Sequence, residues 1–277
     1  KKGDYEKAED YYQRSLAIRE ELGVKDGMGK SLNNIGGAYK KKGEYEKRLD
    51  ASERELTIKE QIGNKRGMGH SLNGIGIIHR SKGDYDKALD YYGRSLAIKE
   101  ELGDKQRIGY SLGNIGIVHS EKGDYKALDY YGRSLVITEN LGDERRMGIM
   151  LFNIGHMHWS KGDYGKAEEY LEKSLALQKE IGLKWFELET TTYLYLTYKH
   201  LGKAYDVAEI HSLIKDTEII EFELNYALYQ LLEDKSYLET AYNQVQEKAS
   251  TMEEKLKAKF LSYPIPKAIG EEWEKVK

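Results

Sequence analysis

Apolar residues recur along this chain with helical spacing. Leu32, Ile35, Gly36 and Tyr39 stand at i, i+3, i+4 and i+7. The set returns as Leu72, Ile75, Gly76 and His79, as Leu112, Ile115, Gly116 and His119, and as Leu151, Ile154, Gly155 and His158. Each set is one face of an amphipathic helix. A glycine within the stripe removes a side chain where a second helix must come close. Glycine costs a helix about 1 kcal/mol against alanine, so close packing is the expected compensation. A second helix follows each first one. In one block it is predicted from Asp86 to Leu102, with Ala88, Tyr92, Ser95 and Leu96 inward. Gly103 suits its left-handed C-terminal cap, and Asp104 can cap the next helix through its carboxylate.

The blocks repeat at a fixed period. A Lys-Gly-acid-Tyr turn recurs at Gly3, Gly43, Gly83, Gly123 and Gly162, spaced 40, 40, 40 and 39 residues, and Gly202 continues the series after another 40. Short turns make the paired helices antiparallel, and a single hairpin cannot bury its stripe alone, so neighbours must stack.

Segments such as Asn34-Ile35-Gly36-Gly37-Ala38-Tyr39 and Gly83-Asp84-Tyr85-Asp86-Lys87-Ala88-Leu89-Asp90-Tyr91-Tyr92 resemble the tetratricopeptide repeat family. The period is longer than the commonest one of about 34. It is similar to the long-repeat branch found in kinesin light chains, spindle-orientation adaptors and bacterial signalling proteins. The resemblance covers residues 1–215 and implies an all-α fold, a right-handed superhelical solenoid of antiparallel helical hairpins. It also implies that the first helix of each hairpin lines a concave, peptide-binding groove.

Two positions depart from the repeat. Arg48 stands where other blocks have Ala8, Ala88, Ala127 and Ala167, so that hairpin is either looser or splays the arginine outward. The fourth block reads Asp124-Tyr125-Lys126-Ala127, one residue short in the turn. A local change of stacking is expected there.

Beyond Gly202 the period fades. The expected organisation is an array over 1–215, with a partial first repeat and about five further hairpins. A degenerate hairpin and C-terminal capping helices then occupy 216–277. Thr217 to Leu232, Tyr237 to Lys248 and Thr251 to Leu261 read as helices, and Pro266 is the expected start of a final one ending near Val276.

Helical arithmetic at about 100° per residue identifies the side opposite the core stripe. In the first block these residues are Lys30, Asn33, Asn34, Gly37, Lys40 and Lys41. One block on they are His70, Asn73, Gly74, Ile77, Arg80 and Ser81. Tyr110, Gly113, Asn114, Ile117, Ser120 and Glu121 follow. Ile149, Phe152, Asn153, His156, Trp159 and Ser160 come next, and then Glu189, Thr192, Tyr193, Leu196, Lys199 and His200. The early part is basic and amide-rich; the later part is apolar and aromatic. Asparagine side chains can donate to and accept from an extended peptide backbone, and bases favour carboxylates. Aromatic anchors dominate binding energy once a partner buries them. The expected ligand is therefore a protein or peptide with acidic and apolar portions. Two plainer readings stand beside this one. The asparagines belong to the repeat pattern and face water, or Ile149, Phe152 and Trp159 are covered by neighbouring helices.

Composition narrows the alternatives. The 277 residues carry a net charge of −3 from interleaved acids and bases, without the basic block that phosphate backbones require, so nucleic acid is not an expected partner. Cysteine is absent, which excludes disulfides and thiolate chemistry. Both prolines, Pro264 and Pro266, lie near the end, which leaves the preceding chain free to be helical. No apolar run approaches the roughly 20 residues that span a bilayer, so a cytoplasmic protein without membrane attachment is expected. The sequence opens inside a repeat, at Lys1-Lys2-Gly3-Asp4-Tyr5, so a native start is expected upstream.

His79, His119 and His158 occupy one repeat position and read as stacking residues rather than metal ligands. No phosphate-cradling loop stands out. No cofactor, metal or catalytic residue is expected. The function expected is a non-catalytic protein-interaction scaffold. The alternative is a regulatory sensor module of a larger signalling protein, whose superhelix changes on peptide binding.

Overall fold

Glycines in the left-handed backbone region punctuate the chain at intervals of about twenty residues, from Gly23 through Gly43, Gly63 and Gly83 to Gly202. At Gly83, with φ of 76°, the chain must reverse between two helices, and a side chain there would be strained. The computed structural model describes the chain from Lys2 to Lys277, with side chains from Glu6 onward, and the described residues contain no strand. They fall into two compact units, residues 1–111 and 112–277.

The first unit holds α1 (Lys2–Glu21), α2 (Lys25–Lys42), α3 (Tyr45–Gln61), α4 (Lys65–Ser81), α5 (Tyr85–Glu101) and the first part of α6 (Lys105–Glu121). From α1 to α5 each helix packs on the next. The predicted stripes face inward: Leu32, Ile35 and Tyr39 join Leu16, Ala51 and Ile58 in one cluster, and Leu72 and Ile75 join Leu56 in another. Helix starts are capped by side chains. Asn64 Oδ1 accepts from Gly67 N at 2.8 Å, and Asp104 Oδ1 accepts from Arg107 N at 3.3 Å, as predicted for Asp104. This is the all-α array of helical hairpins that the repeat implied.

The second unit holds the rest of α6, then α7 (Ala127–Leu141), α8 (Glu144–Ser160), α9 (Tyr164–Glu180) and a 3-10 turn at Lys184–Phe186. It continues with α10 (Glu187–Leu201), α11 (Val207–Lys215), α12 (Phe222–Leu232), α13 (Lys235–Ser250), α14 (Glu254–Leu261) and α15 (Pro264–Val276). The deletion acts where it was expected. α7 starts two residues beyond the tyrosine of its turn, Asp124 Oδ1 accepts from Lys126 N at 3.0 Å, and Tyr125 is 45% exposed where Tyr85 is 4%.

α10 is buried on every side from Thr190 to Thr197 because α9, α11 and α12 all pack against it. Thr190, Thr192 and Thr197 satisfy their hydroxyls on carbonyls one turn back, as Thr192 Oγ1 does on Leu188 O at 2.7 Å, whereas the buried Thr191 Oγ1 has no partner. Such back-bonding removes the penalty of a buried unpaired hydroxyl.

The last quarter differs from expectation at its boundaries. Residues 217–221 are not helical, because Asn225 Nδ2 and Gln244 Nε2 both donate to Ile220 O and hold the chain extended ahead of α12. α14 starts at Glu254 rather than Thr251. Pro264, not Pro266, opens α15, at the position where a missing N–H costs nothing.

Candidate functional site

The outward side of α2 is open. Lys30, Asn33, Asn34, Lys40 and Lys41 are exposed. Lys30 Nζ is held 2.8 Å from Asp26 Oδ2 one turn away. Neither Lys40 nor Lys41 meets an acidic side chain among the described residues, so both charges are free for a ligand. From α4, His70 is exposed and hydrogen-bonds Arg107, while Asn73 and Arg80 are half-buried. Burial and the neighbouring Arg107 and Lys99 charges hold the His70 imidazole below its usual pKa. It is therefore a neutral partner near pH 7. Tyr110 on α6 is half-buried and accepts from Gln106 Nε2 at 3.3 Å.

A cavity of about 570 Å³ opens between these helices in the first unit. Asn33, Asn34, Lys40, Lys41 and His70 line it, so the fold brings five of the residues chosen from the sequence to one place. Arg48, Ser52 and Glu55 of α3 line it too. The helix-face arithmetic missed these three because they belong to the second helix of the hairpin. Arg48 was visible as a departure from the repeat, and of the two readings left open the looser hairpin holds: its side chain is half-buried in the cavity, not splayed outward.

The second unit treats its share of the predicted face differently. Asn114 and Ile117 on α6 are half-buried, and Ile117 packs against the α7–α8 cluster. On α8, Phe152 is 4% exposed and sits in the core, its ring 4.8 Å from Phe186 and 5.9 Å from Tyr193 in edge contacts. It is therefore not an accessible anchor. The physical reason is α10, whose Tyr193 inserts against α8 and whose opposite side is occupied by α12.

Ile149 and Trp159 are half-buried and pack on the same cluster. His156 stacks on Phe152 and Trp159 and meets the Tyr193 ring at 4.4 Å, and this desolvation lowers its pKa to about 4. Three polar atoms along this side of α8, Asn153 Nδ2, His156 Nε2 and Trp159 Nε1, are enclosed without a hydrogen-bond partner. Glu189 and Glu223 are desolvated as well, and each carboxyl is pushed up to about 7; the negative charge of Glu223 adds to the rise at Glu189. Trp159 also lines a second cavity of about 580 Å³ with Lys199, His200, Tyr229 and Lys235.

The repeat histidines stack as expected. His79 lies on Tyr91 at 5.4 Å, His119 on Tyr130 at 5.3 Å and His158 on Tyr170 at 5.8 Å. Each faces the acid of the following turn, Asp84, Asp124 or Asp163. Among the described residues no group of three or more His, Cys, Asp or Glu side chains could hold a metal ion, and no helix is long and apolar enough to cross a membrane.

Several solved structures share the fold. BtubC (BKLC) from P. vanneervenii is 17% identical, with a TM-score of 0.65 over 81% of this chain and 92% of that one. A Rap protein solved with competence and sporulation factor is 15% identical, with a TM-score of 0.59 over 98% and 87%. The apo form of the quorum sensor NprR from B. thuringiensis is 18% identical, with a TM-score of 0.57 over 93% and 70%. At these identities the likeness is one of fold. No curated protein sequence matches the chain. The tetratricopeptide repeat family model matches at residues 1–61, 27–101, 67–127 and 108–180. With those matches spanning well over half the sequence, and with paired antiparallel helices within each unit, the chain belongs to the tetratricopeptide repeat family.

Proposed function

We propose that this chain is a non-catalytic scaffold that holds an extended peptide against the open sides of α2 and α4. One observation carries the reading: Asn33, Asn34, Lys40 and Lys41 are exposed around one cavity, with the two lysine charges uncompensated. An asparagine side chain can donate to and accept from one peptide unit at once, which suits recognition of a backbone irrespective of its side chains. Lys40 and Lys41 favour acidic residues on the partner. Half-buried Ile77 and Tyr110 supply the apolar contact that the sequence assigned to Phe152. The partner is thus a protein or peptide with acidic and apolar portions. The interleaved surface charges argue against nucleic acid, and a cytoplasmic setting without membrane attachment fits the composition.

A second reading is favoured by two similar structures, one of a quorum sensor and one of a protein bound to competence and sporulation factor. In it the chain is the sensor module of a larger signalling protein, and the peptide alters its shape.

Selection from a phage-displayed random peptide library tests the binding site. The wild-type chain is expected to enrich acidic sequences with apolar residues, and a variant carrying Asn33→Ala, Asn34→Ala, Lys40→Glu and Lys41→Glu is expected to lose them. Equal enrichment on both chains would refute the assignment. Small-angle scattering with and without a selected peptide separates the two readings, because only the sensor requires the profile to change.

A further inference from the structure

The contact between the two helices of a hairpin is closed in three blocks by the same device. The Tyr92 ring comes so close to Gly76 that a β-carbon added to the glycine would sit 2.7 Å from it. Tyr131 covers Gly116 at 2.6 Å and Leu171 covers Gly155 at 2.7 Å by the same measure. One turn earlier, Ala88, Ala127 and Ala167 are fully buried. One turn later, Ser95 donates to Gly69 O and Ser174 to Gly148 O, both at 2.7 Å.

In α3 all three positions differ. Arg48 replaces the alanine, Ser52 the large plug and Glu55 the serine. A β-carbon on Gly36 would meet only Ser52 Oγ, at 3.8 Å, and one on Gly37 would meet nothing within 4 Å. Losing the plug opens the cavity, and the arginine then projects a charge into it. A random loosening of the contact would not put a desolvated guanidinium beside the space it opened.

No acidic side chain among the described residues pairs with Arg48; its electrostatic neighbours are the phenols of Tyr45 and Tyr92. Glu55 is not its counter-ion: burial pushes that carboxyl up, and the groups that partly offset this are Lys59 and Ser71, not Arg48. A half-buried guanidinium without an anion is unfavourable unless a ligand supplies one. The bare surface over Gly36 is the place that a tyrosine ring fills in two other blocks and Leu171 in a third, and Gly37 beside it is bare as well. On α3 the backbone positions of Arg48 and Ser52 lie one helical turn apart, about 6 Å of rise. An aromatic acid with a short spacer spans that interval.

We propose that this cavity is a binding site for a ring-bearing carboxylate, its ring seated on Gly36 and Gly37 and its carboxylate on Arg48. The ligand is either a free aromatic acid or the C-terminal aromatic residue of the peptide held outside, and in the latter form the inference rests on the peptide reading. Calorimetric titration of the whole chain with 3-(4-hydroxyphenyl)propionate, its amide, the tripeptide Gly-Gly-Tyr and the tripeptide amide tests it.

At least one acid is expected to bind, at least tenfold more tightly than its amide. Arg48→Ala, which installs the residue of the other blocks, should erase that difference. Ser52→Tyr should abolish binding of ring and acid alike while raising the melting temperature. Binding by the tripeptide but not the free acid supports the peptide source, and the reverse supports a free metabolite. Failure of both acids to bind overturns the proposal, as does equal affinity for acid and amide or undiminished binding to Ser52→Tyr. If an acid binds but library selection yields no peptide, the cavity site stands and the peptide scaffold falls. If peptides bind but neither acid does, the cavity site falls alone.

Discussion

Gly36 and Gly76 occupy the same place in the repeat, yet substituting alanine at the two should change stability in opposite directions. At Gly76 the new methyl would lie 2.7 Å from two atoms of the Tyr92 ring and 3.2 Å from Cγ, near the base of a side chain that is 1% exposed. The ring cannot swing aside without disturbing the buried residues around it. Overpacking of this kind costs about 1–3 kcal/mol, and the helix-propensity gain of alanine over glycine returns about 1 kcal/mol. The net expectation is a loss of up to about 2 kcal/mol. At Gly36 the methyl meets only Ser52 Oγ at 3.8 Å, an ordinary contact, so the propensity gain of up to about 1 kcal/mol remains. Gly37→Ala, with nothing within 4 Å, serves as the control for propensity alone. Urea unfolding followed by far-ultraviolet circular dichroism measures all three. Equal destabilisation by Gly36→Ala and Gly76→Ala would show that both glycines meet the same close contact, and the open cavity beside α3 would then be wrong.

Phe152→Ala should cost about 3–5 kcal/mol in the same unfolding assay, because the ring packs on Phe186 and Tyr193; a surface anchor would show almost no change. Glu189 holds its proton up to about pH 7 in the folded chain, so from pH 4.5 to 7 the folded state binds more protons than the unfolded one and this residue's contribution to stability falls as pH rises. Glu189→Gln should remove that share of the fall, leaving the fall from Glu223 set against the rise from His156, whose depressed pKa makes stability increase between about pH 4 and 6.5; melting temperatures of both chains across this range report it, and parallel profiles would contradict the assignment. Asp104→Ala deletes the side-chain cap on Arg107 N and should lower stability by about 1 kcal/mol, read as faster hydrogen exchange in the first turn of α6.

The repeat made most of the fold legible in the sequence. Stripes such as Leu72, Ile75, Gly76 and His79 fix which side of a helix is buried, because a period of 3.6 residues allows only one. The turn glycines fix where the helices end, because only glycine enters the left-handed region freely. The stacking role of His79, His119 and His158 followed from their sharing one repeat position. Residues 217–221 were misread because their extension is held by Gln244, a distant residue that no local pattern includes.

The site was legible only in part, for a related reason. Helical phase gives the direction of a side chain but not what stands opposite it. Lys40 and Lys41 point away from the stripe and remain open. Phe152 and His156 point away from the stripe of their own helix just as clearly, yet α10 packs over them because α12 covers its other side. Sequence likewise recorded Arg48, Ser52 and Glu55 as residues out of pattern. That they face one cavity, with the arginine lacking an anion, depends on α1, α2, α3 and α4 meeting around it. Period and phase are properties of single helices and are written in the chain; accessibility is a property of several packed helices and exists only once they have packed.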